Sequence, residues 1–545
     1  MPFIPTTDII DSVNPAISNS DVVDGDLILI RSGISVISTS MFDNTIEISH
    51  ANMTLQIDGL VYGSSRGVDL DATATTGFDY SVAIGSTGRL SALNSFAVYI
   101  GSNSDFVDIS GNEISFANAG HVTGYNYGTV FMFNAASASV TNSGMIETLS
   151  DGLQYHAALY FYNVETAKVL NTGTIQSTAV NPDPEGSTVY FGVGSDSFEF
   201  VNYGTVYSPS RAITSDASTT DLIVNYGDIY GTVRLSNTAI STVQNLGTIH
   251  GNVELGGGTD FYNSGTNGYV VFFVRGGAGG DQLYGGNLVD RLYGDGDDDF
   301  IFGRGGDDFL FGGLGNDSMR GDAGDDELWG EGGNDTIYGG TGDDIIFGLD
   351  NDDFIRGDAG ADTITGGSGN DSVFGGSEND QLFGGIGNDL LNGGLGEDSL
   401  AGDGDNDQLF GHDGNDELLG GSGNDTLTGG AGNDTLIGGA GADSLFGGLG
   451  ADVFQYVLAG DSPFAAGFDV IRDFQLGTDV INLDIPVALT FVGTGLHTGG
   501  GNGSVRYVLG TDRTTVLVDT DGNGTSDMRI LMIGEFALTS ADVLF

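Results

Sequence analysis

The chain has 545 residues, of which 94 are glycine and 75 are aspartate or glutamate, against 15 lysine plus arginine, for a formal net charge of −60. That charge excludes nucleic acid and anionic lipid as partners, since both need a basic footprint, and it suits cation binding. There is no cysteine for disulfides or thiolate metal sites, and no apolar run nears the roughly 18 residues of a membrane helix.

The N-terminal stretch MPFIPTTDIIDSVNPAISNSDVVDGD has neither a basic n-region nor an apolar h-region, which speaks against a Sec signal peptide. From residue 1 to 270 the chain is poor in charge and rich in Thr, Ser, Val and Ile. It repeats a refrain: NAGHV (118–122), NSGMI (142–146), NTGTI (171–175), NYGTV (202–206), NYGDI (225–229), NLGTI (245–249) and a partial NSGTN (263–267). The intervals are 24, 29, 31, 23, 20 and 18 residues. Each N-x-G-x-[IV] reads as a tight turn entering a strand, and one such unit per coil with uneven loops describes a parallel β-solenoid. IDGLV (57–61) and STGRL (86–90) read as divergent coils. The refrain resembles bacterial adhesin and autotransporter passengers and pectin-lyase-like β-helices. GSSRG (63–67) fits G-x-S-x-G around Ser65, but no helix follows as a nucleophile elbow requires, so the match is a coincidence. YHAALYFYNVE (155–165) reads either as a strand face or as a sugar platform.

From Gly276, steps of nine give 20 consecutive phrases of the form GGxGxDxUx, ending at Gln455. Position 1 is Gly, position 6 Asp and position 8 apolar in every one. Positions 1 to 6 form a turn in which glycines supply positive φ and let carbonyls approach a common point. Positions 7 to 9 form a three-residue strand with position 8 inward. Two phrases make one turn of a flattened helix, and loops stacked at about 4.8 Å bring carboxylate and carbonyl oxygens together, the hard donors that calcium takes. Position 4 departs from Gly at Leu288, Asp297, Asn351, Glu378 and Asp405, and Leu and Glu tolerate positive φ poorly. The loops 285–290 and 375–380 are therefore expected to be weak sites. Position 9 carries 11 aromatics, among them Phe311, Trp329 and Phe347, which read as an outward ladder rather than a sugar-stacking stripe.

These phrases resemble the RTX, or repeats-in-toxin, calcium-binding β-roll. The resemblance implies that the position-6 aspartates are calcium ligands: Asp281, Asp290, Asp299, Asp308, Asp317, Asp326, Asp335, Asp344, Asp353, Asp362, Asp371, Asp380, Asp389, Asp398, Asp407, Asp416, Asp425, Asp434, Asp443 and Asp452. If loops one turn apart share each ion, 20 loops give at most about 18 sites.

Residues 456–545 are expected to form a β-rich cap. FDVIRDFQLGTDVINL (468–483) and VLVDTDGNGTSDMRILMIG (516–534) resemble the region after the repeats in serralysin-type secreted proteins. The terminal DVLF resembles the C-terminal export signal of type I secretion substrates. Within this region DTDGNGTSD (519–527) matches the first half of an EF-hand loop, but Ile530 stands where the bidentate Glu belongs, so it reads as an ion site or as a Gly-rich hairpin turn. None of the six histidines lies in H-E-x-x-H, so the zinc protease module is missing.

The expected fold is all-β: a parallel β-helix over 1–270, a β-roll over 276–455 and a cap over 456–545. The expected protein is secreted, exported by a type I exporter, folded outside the cell by several calcium ions, and structural or adhesive, with cell-surface polysaccharide as a candidate partner. A polysaccharide lyase or epimerase on the solenoid is the alternative. It is disfavoured because Arg31, Arg66, Arg89, Lys168, Arg211 and Arg234 are scattered. A haemolysin-type toxin ranks last, because the chain has no long apolar segment and a single Lys.

Overall fold

The computed structural model describes residues 113–125, 129–149, 157–178, 187–458, 460–464, 467–497 and 503–545, with shorter stretches between residues 9 and 101. Among these residues every helix or strand element is a strand, and no helix is long and apolar enough to cross a membrane. The segment 64–67 with Ser65, residues 155–156 and most of 1–26 lie outside the described residues. The chain divides into two compact units, Met1–Asp295 and Gly296–Phe545.

The first unit is a parallel β-solenoid. Its coil length varies, and the strand register follows the refrain. Asn142 lies opposite Asn171 where Val130–Asn142 pairs with Leu159–Asn171, and Asn171 lies opposite Asn202 in the next coil. The apolar residue at the end of each refrain stacks on the same residue of the next coil, giving a column that runs through Val122, Ile146, Ile175, Val206, Ile229 and Ile249. Val61 and Leu90, from the divergent IDGLV and STGRL, extend that column at its start. All eight side chains are buried.

The asparagine has a role that the refrain alone does not reveal. It is buried in every full copy, and its Nδ2 donates to the Oδ1 of the next copy at 2.8 Å: Asn118 to Asn142, Asn142 to Asn171, Asn171 to Asn202, Asn202 to Asn225, and Asn225 to Asn245. The refrain glycine serves close stacking, not left-handed backbone. A Cβ on Gly144, Gly173, Gly204, Gly227 or Gly247 would fall 2.0–2.1 Å from the carbonyl oxygen of the glycine one coil earlier, and none of the five has positive φ. The register slips at the partial copy. There Asn263 pairs opposite Gln244 instead of Asn245, and a slip of one residue turns a side chain to the other face of the strand.

Within the cluster at 155–165, strand Leu159–Asn171 begins at Leu159. Phe161 points inward and stacks on Phe191 at 4.8 Å, while Tyr160 joins a row with Phe131 and Tyr190 at 4.8 and 4.9 Å.

The second unit begins with the nonapeptide coils. Strands pair in parallel with a shift of 18 residues, as in Ser318 opposite Thr336, and every position-8 side chain from Ile301 to Phe454 is buried. The strands are six residues long rather than three, as in Thr336–Thr341. Positions 1 to 3 of the following phrase extend the strand, and positions 2 and 3 pair with the neighbouring coil, for example Gly340 with Asp322, so the turn is confined to positions 4 to 6. Phe311, Trp329 and Phe347, all half-buried, form an outward stack with centroids 4.5 and 5.9 Å apart.

The roll does not end on a bare edge. Val470–Ile471 and Val480–Leu483 pair with its last two strands, and Met528–Ile533 and Val543–Leu544 pair with those in turn. Ser504–Gly510, Arg513–Asp519 and Met528–Ile533 form an antiparallel meander that turns the sheet away from further parallel addition.

Asn171→Ala removes the acceptor of Asn142 and a donor to Asn202 while both stay buried. The expected cost is about 1–3 kcal/mol, read in the full chain as faster hydrogen exchange in strands Leu159–Asn171 and Ser197–Asn202.

Candidate metal centres

The position-6 aspartates sit at the end of each turn with side chains pointed back under the loop. From Asp281 to Asp452 all 20 are buried, at 0–3% exposure. In the second unit their carboxylates form a column. The backbone N–H of Asp299 donates to Oδ1 of Asp317 at 2.8 Å, and the same bond recurs between residues 18 apart, as from Asp335 to Asp353 at 2.8 Å and from Asp434 to Asp452 at 3.1 Å. Position 5 carries a second, exposed ladder running the other way, in which Asn334 N–H donates to Asn316 Oδ1 and Asn370 N–H to Asp352 Oδ1.

One oxygen of each carboxylate is thereby satisfied and the other is not. For the sixteen aspartates at every ninth position from Asp317 to Asp452, Oδ2 is buried and has no hydrogen-bond partner. That oxygen faces a cradle which only glycine leaves open. A Cβ on Gly339 would lie 2.3 Å from Asp344 Oδ2 and 2.9 Å from the Gly357 carbonyl oxygen, so two acceptors from neighbouring coils crowd one point with no donor between them. The same pair of oxygens recurs at Gly303, Gly312, Gly330 and Gly348. Buried acceptors that meet without a proton are costly, and a hard divalent cation is the species that makes such a meeting favourable. The donor set and the cradle fit calcium.

Electrostatics points the same way. With no cation beside them, burial pushes Asp344 and Asp353 up to about 8 and Asp317, Asp326 and Asp362 up to about 7. Desolvation is the leading cause, opposed by the N–H bond to Oδ1 and reinforced by neighbouring carboxylates.

Two loops stood out in the sequence, and the structure treats them differently. In 285–290, Leu288 does not take positive φ and Asp290 Oδ2 accepts the Gly286 N–H at 2.6 Å, so this carboxylate is drawn into its own loop. In 375–380, Glu378 is held at φ 75° while its Oε2 accepts from Gly360 N–H and Ser377 Oγ. Asp380 there keeps the geometry of its neighbours, with Oδ2 2.2 Å from a Cβ on Gly375.

Three further aspartates join the same kind of bond but escaped the nine-residue count. Asp260 N–H donates to Asp281 Oδ1 at 2.7 Å, and its own Oδ2 is buried without a partner. The signal for it is GGGTDFYN (256–263), a phrase one residue short. At the other end, Asp443 and Asp452 N–H groups donate to Asp469 and Asp479 at 3.1 and 3.3 Å. Both acceptors stand in D-V-I steps, 26 and 27 residues on.

A family model described as the RTX calcium-binding nonapeptide repeat matches residues 284–319, 311–346, 320–353, 347–382, 383–418 and 419–454. Among solved structures, the AlgE6R3 subunit of the Azotobacter vinelandii mannuronan C5-epimerase is 30% identical over 31% of this chain and 80% of its own, with a TM-score of 0.17. The AlgE6R2 subunit of the same enzyme is 31% identical over 27% of this chain and 91% of its own, with a TM-score of 0.21. No curated protein matches the chain.

The sign of the pH dependence follows from the raised carboxyls. A calcium-free roll binds more protons than the unfolded chain between the ordinary aspartate range and about 8, so its stability falls as pH rises through that window. The unfolded chain has already lost those protons at pH 5, so the calcium concentration for half-folding rises with pH as the proton-stabilised calcium-free form is lost. Circular dichroism at pH 5 and pH 8, in chelator and across a calcium titration, checks both signs.

Proposed function

Because this chain is an RTX calcium-binding repeat protein, we propose that it is secreted, that calcium folds its roll outside the cell, and that it serves there as a structural or adhesive protein. The position-6 aspartates supply Oδ2, and the carbonyls of the position-1 glycines one coil on supply further oxygens. Bound calcium neutralises the column and bridges successive coils. The loop with Asp290 is the exception, since its carboxylate is already engaged.

The observation that carries this reading is the run of buried, donor-free Oδ2 atoms from Asp317 to Asp452. The inner core of the roll is one apolar residue per phrase, too thin to offset the ordering of so many glycines without the ions. Extracellular calcium modules commonly bind in the range of about 10⁻⁴–10⁻³ M. At cytosolic calcium the roll therefore stays open and able to thread a type I exporter. Binding and folding form one equilibrium.

For the solenoid, a structural or adhesive role has more support than action on a polyuronate. Among the described residues, three of the basic groups that would meet a uronate are paired internally: Lys168 with Glu199 at 2.8 Å, Arg234 with Glu254 at 3.8 Å and Arg275 with Asp295 at 3.2 Å. The solenoid presents aromatic faces instead, such as Tyr203 on Tyr226 with centroids 4.5 Å apart and both rings exposed.

In millimolar calcium the full chain is expected to show full strand content by circular dichroism. Excess chelator should remove the contribution of the nonapeptide coils, spare that of the asparagine-laddered coils, and be reversed by added calcium. Strand content indifferent to the chelator would overturn the proposal.

A further inference from the structure

We infer that the hairpin loop 519–527, outside the nonapeptide roll, holds one more calcium ion. It joins the antiparallel strands Arg513–Asp519 and Met528–Ile533, with Val518 opposite Met528 at its base. Asp519, Asp521 and Asp527 each bring a carboxylate oxygen to within 4.8 Å of the others. An acidic cluster alone would carry nothing, since a hairpin rich in Asp and Gly commonly closes on its own hydrogen bonds.

The independent observation is at Asp519. Its side chain is fully buried at 0% exposure, its Oδ2 accepts the Gly524 N–H at 2.8 Å, and its Oδ1 is buried with no hydrogen-bond partner. A carboxylate oxygen is therefore held out of water, without a hydrogen-bond partner, in a group of three carboxylates. The other acids are fixed by the loop: Asp521 accepts from Asn523 N–H at 2.9 Å, and Asp527 Oδ2 accepts from Thr520 N–H and Oγ1 at 2.7 Å each.

Three carboxylates and a nearby Asn523 side chain are hard oxygen donors on a flexible turn, which suits calcium better than magnesium with its stricter octahedron. Gly524, at φ 90°, permits the sharp bend between them. Ile530, where a full twelve-residue loop would place a bidentate Glu, is buried in the strand, so the site lacks that ligand and binds in the weaker, extracellular part of the calcium range.

The test uses the full chain in calcium, with hydrogen exchange read by peptide. At ten times the dissociation constant, a bound ion slows exchange of the loop amides about tenfold. Wild type is expected to show that slowing in 520–526 with calcium and not with magnesium. Asp521→Ala, at an exposed position, should abolish it, lower the bound calcium by one ion per chain, and leave the roll strands protected. Asp527→Asn, which keeps the side-chain volume, should do the same. Loop amides that exchange equally fast with and without calcium in wild type, or variants that keep both the slowing and the ion count, would overturn the inference.

Discussion

From Asp317 to Asp452, each coil of the nonapeptide roll takes two carboxylate oxygens out of water and gives them no N–H or O–H. The rest of the roll is shaped around that fact. Loops one strand spacing apart, about 4.8 Å, leave too little room for a side chain beside the carboxylate: from Gly303 to Gly447, a Cβ at position 1 would lie 2.0–2.6 Å from its own loop's Asp Oδ2. The strict glycine at position 1 and the strict aspartate at position 6 are thus one requirement seen from two sides. The apolar position 8 is the remaining fixed point because it is the only side chain that faces inward between two such loops.

The two units solve a single problem with different chemistry. A solenoid turn leaves polar groups stacked in a buried column. Asparagine carries both a donor and an acceptor, so the column from Asn118 to Asn245 closes on itself, each Nδ2 meeting the next Oδ1. Aspartate carries acceptors only. Its column can use one oxygen on the N–H of the coil before, and the other has to wait for a cation. One atom type per turn separates a coil that is complete as a polypeptide from one that becomes complete on binding metal.

What could be read from the sequence follows from the spacing. A constant nine-residue step exposed the turn, the inward position and the aspartates at once, because three fixed positions over 20 phrases leave no other register. The refrain betrayed its coils through variable intervals that reappear as the spans of the asparagine bonds, but one sequence does not distinguish a turn asparagine from a ladder asparagine. Asp260, Asp469 and Asp479 were hidden because their coils measure 21, 26 and 27 residues instead of 18. Strand length was underestimated for a related reason. The glycine-rich opening of each phrase reads as turn, whereas position 1 lies within the strand and positions 2 and 3 pair with the neighbouring coil.

Left-handed backbone is distributed unevenly along the roll. From Asp295 on, position 2 takes positive φ whatever residue stands there, and position 4 does so everywhere but at Gly441. Leu349 and Asn351 share one loop at φ 84° and 77°, and Asp403 and Asp405 share another at 71° and 75°. Side chains in that region cost about 1–2 kcal/mol each, less for Asn and Asp. From residue 420 to 450 every position 2 and 4 is glycine, and these are the coils that meet the cap through Val470–Ile471 and Val480–Leu483. The coils nearest the cap therefore ask least of the bound ion. Those toward residue 296 ask more, since the same coordination must also hold Arg304, Glu331 and Leu349 in a conformation they disfavour. The cap adds to this gradient by continuing the aspartate column through Asp469 and Asp479, so the last loops have a partner on both sides, and a roll organised this way has its firmest coils where its edge is closed.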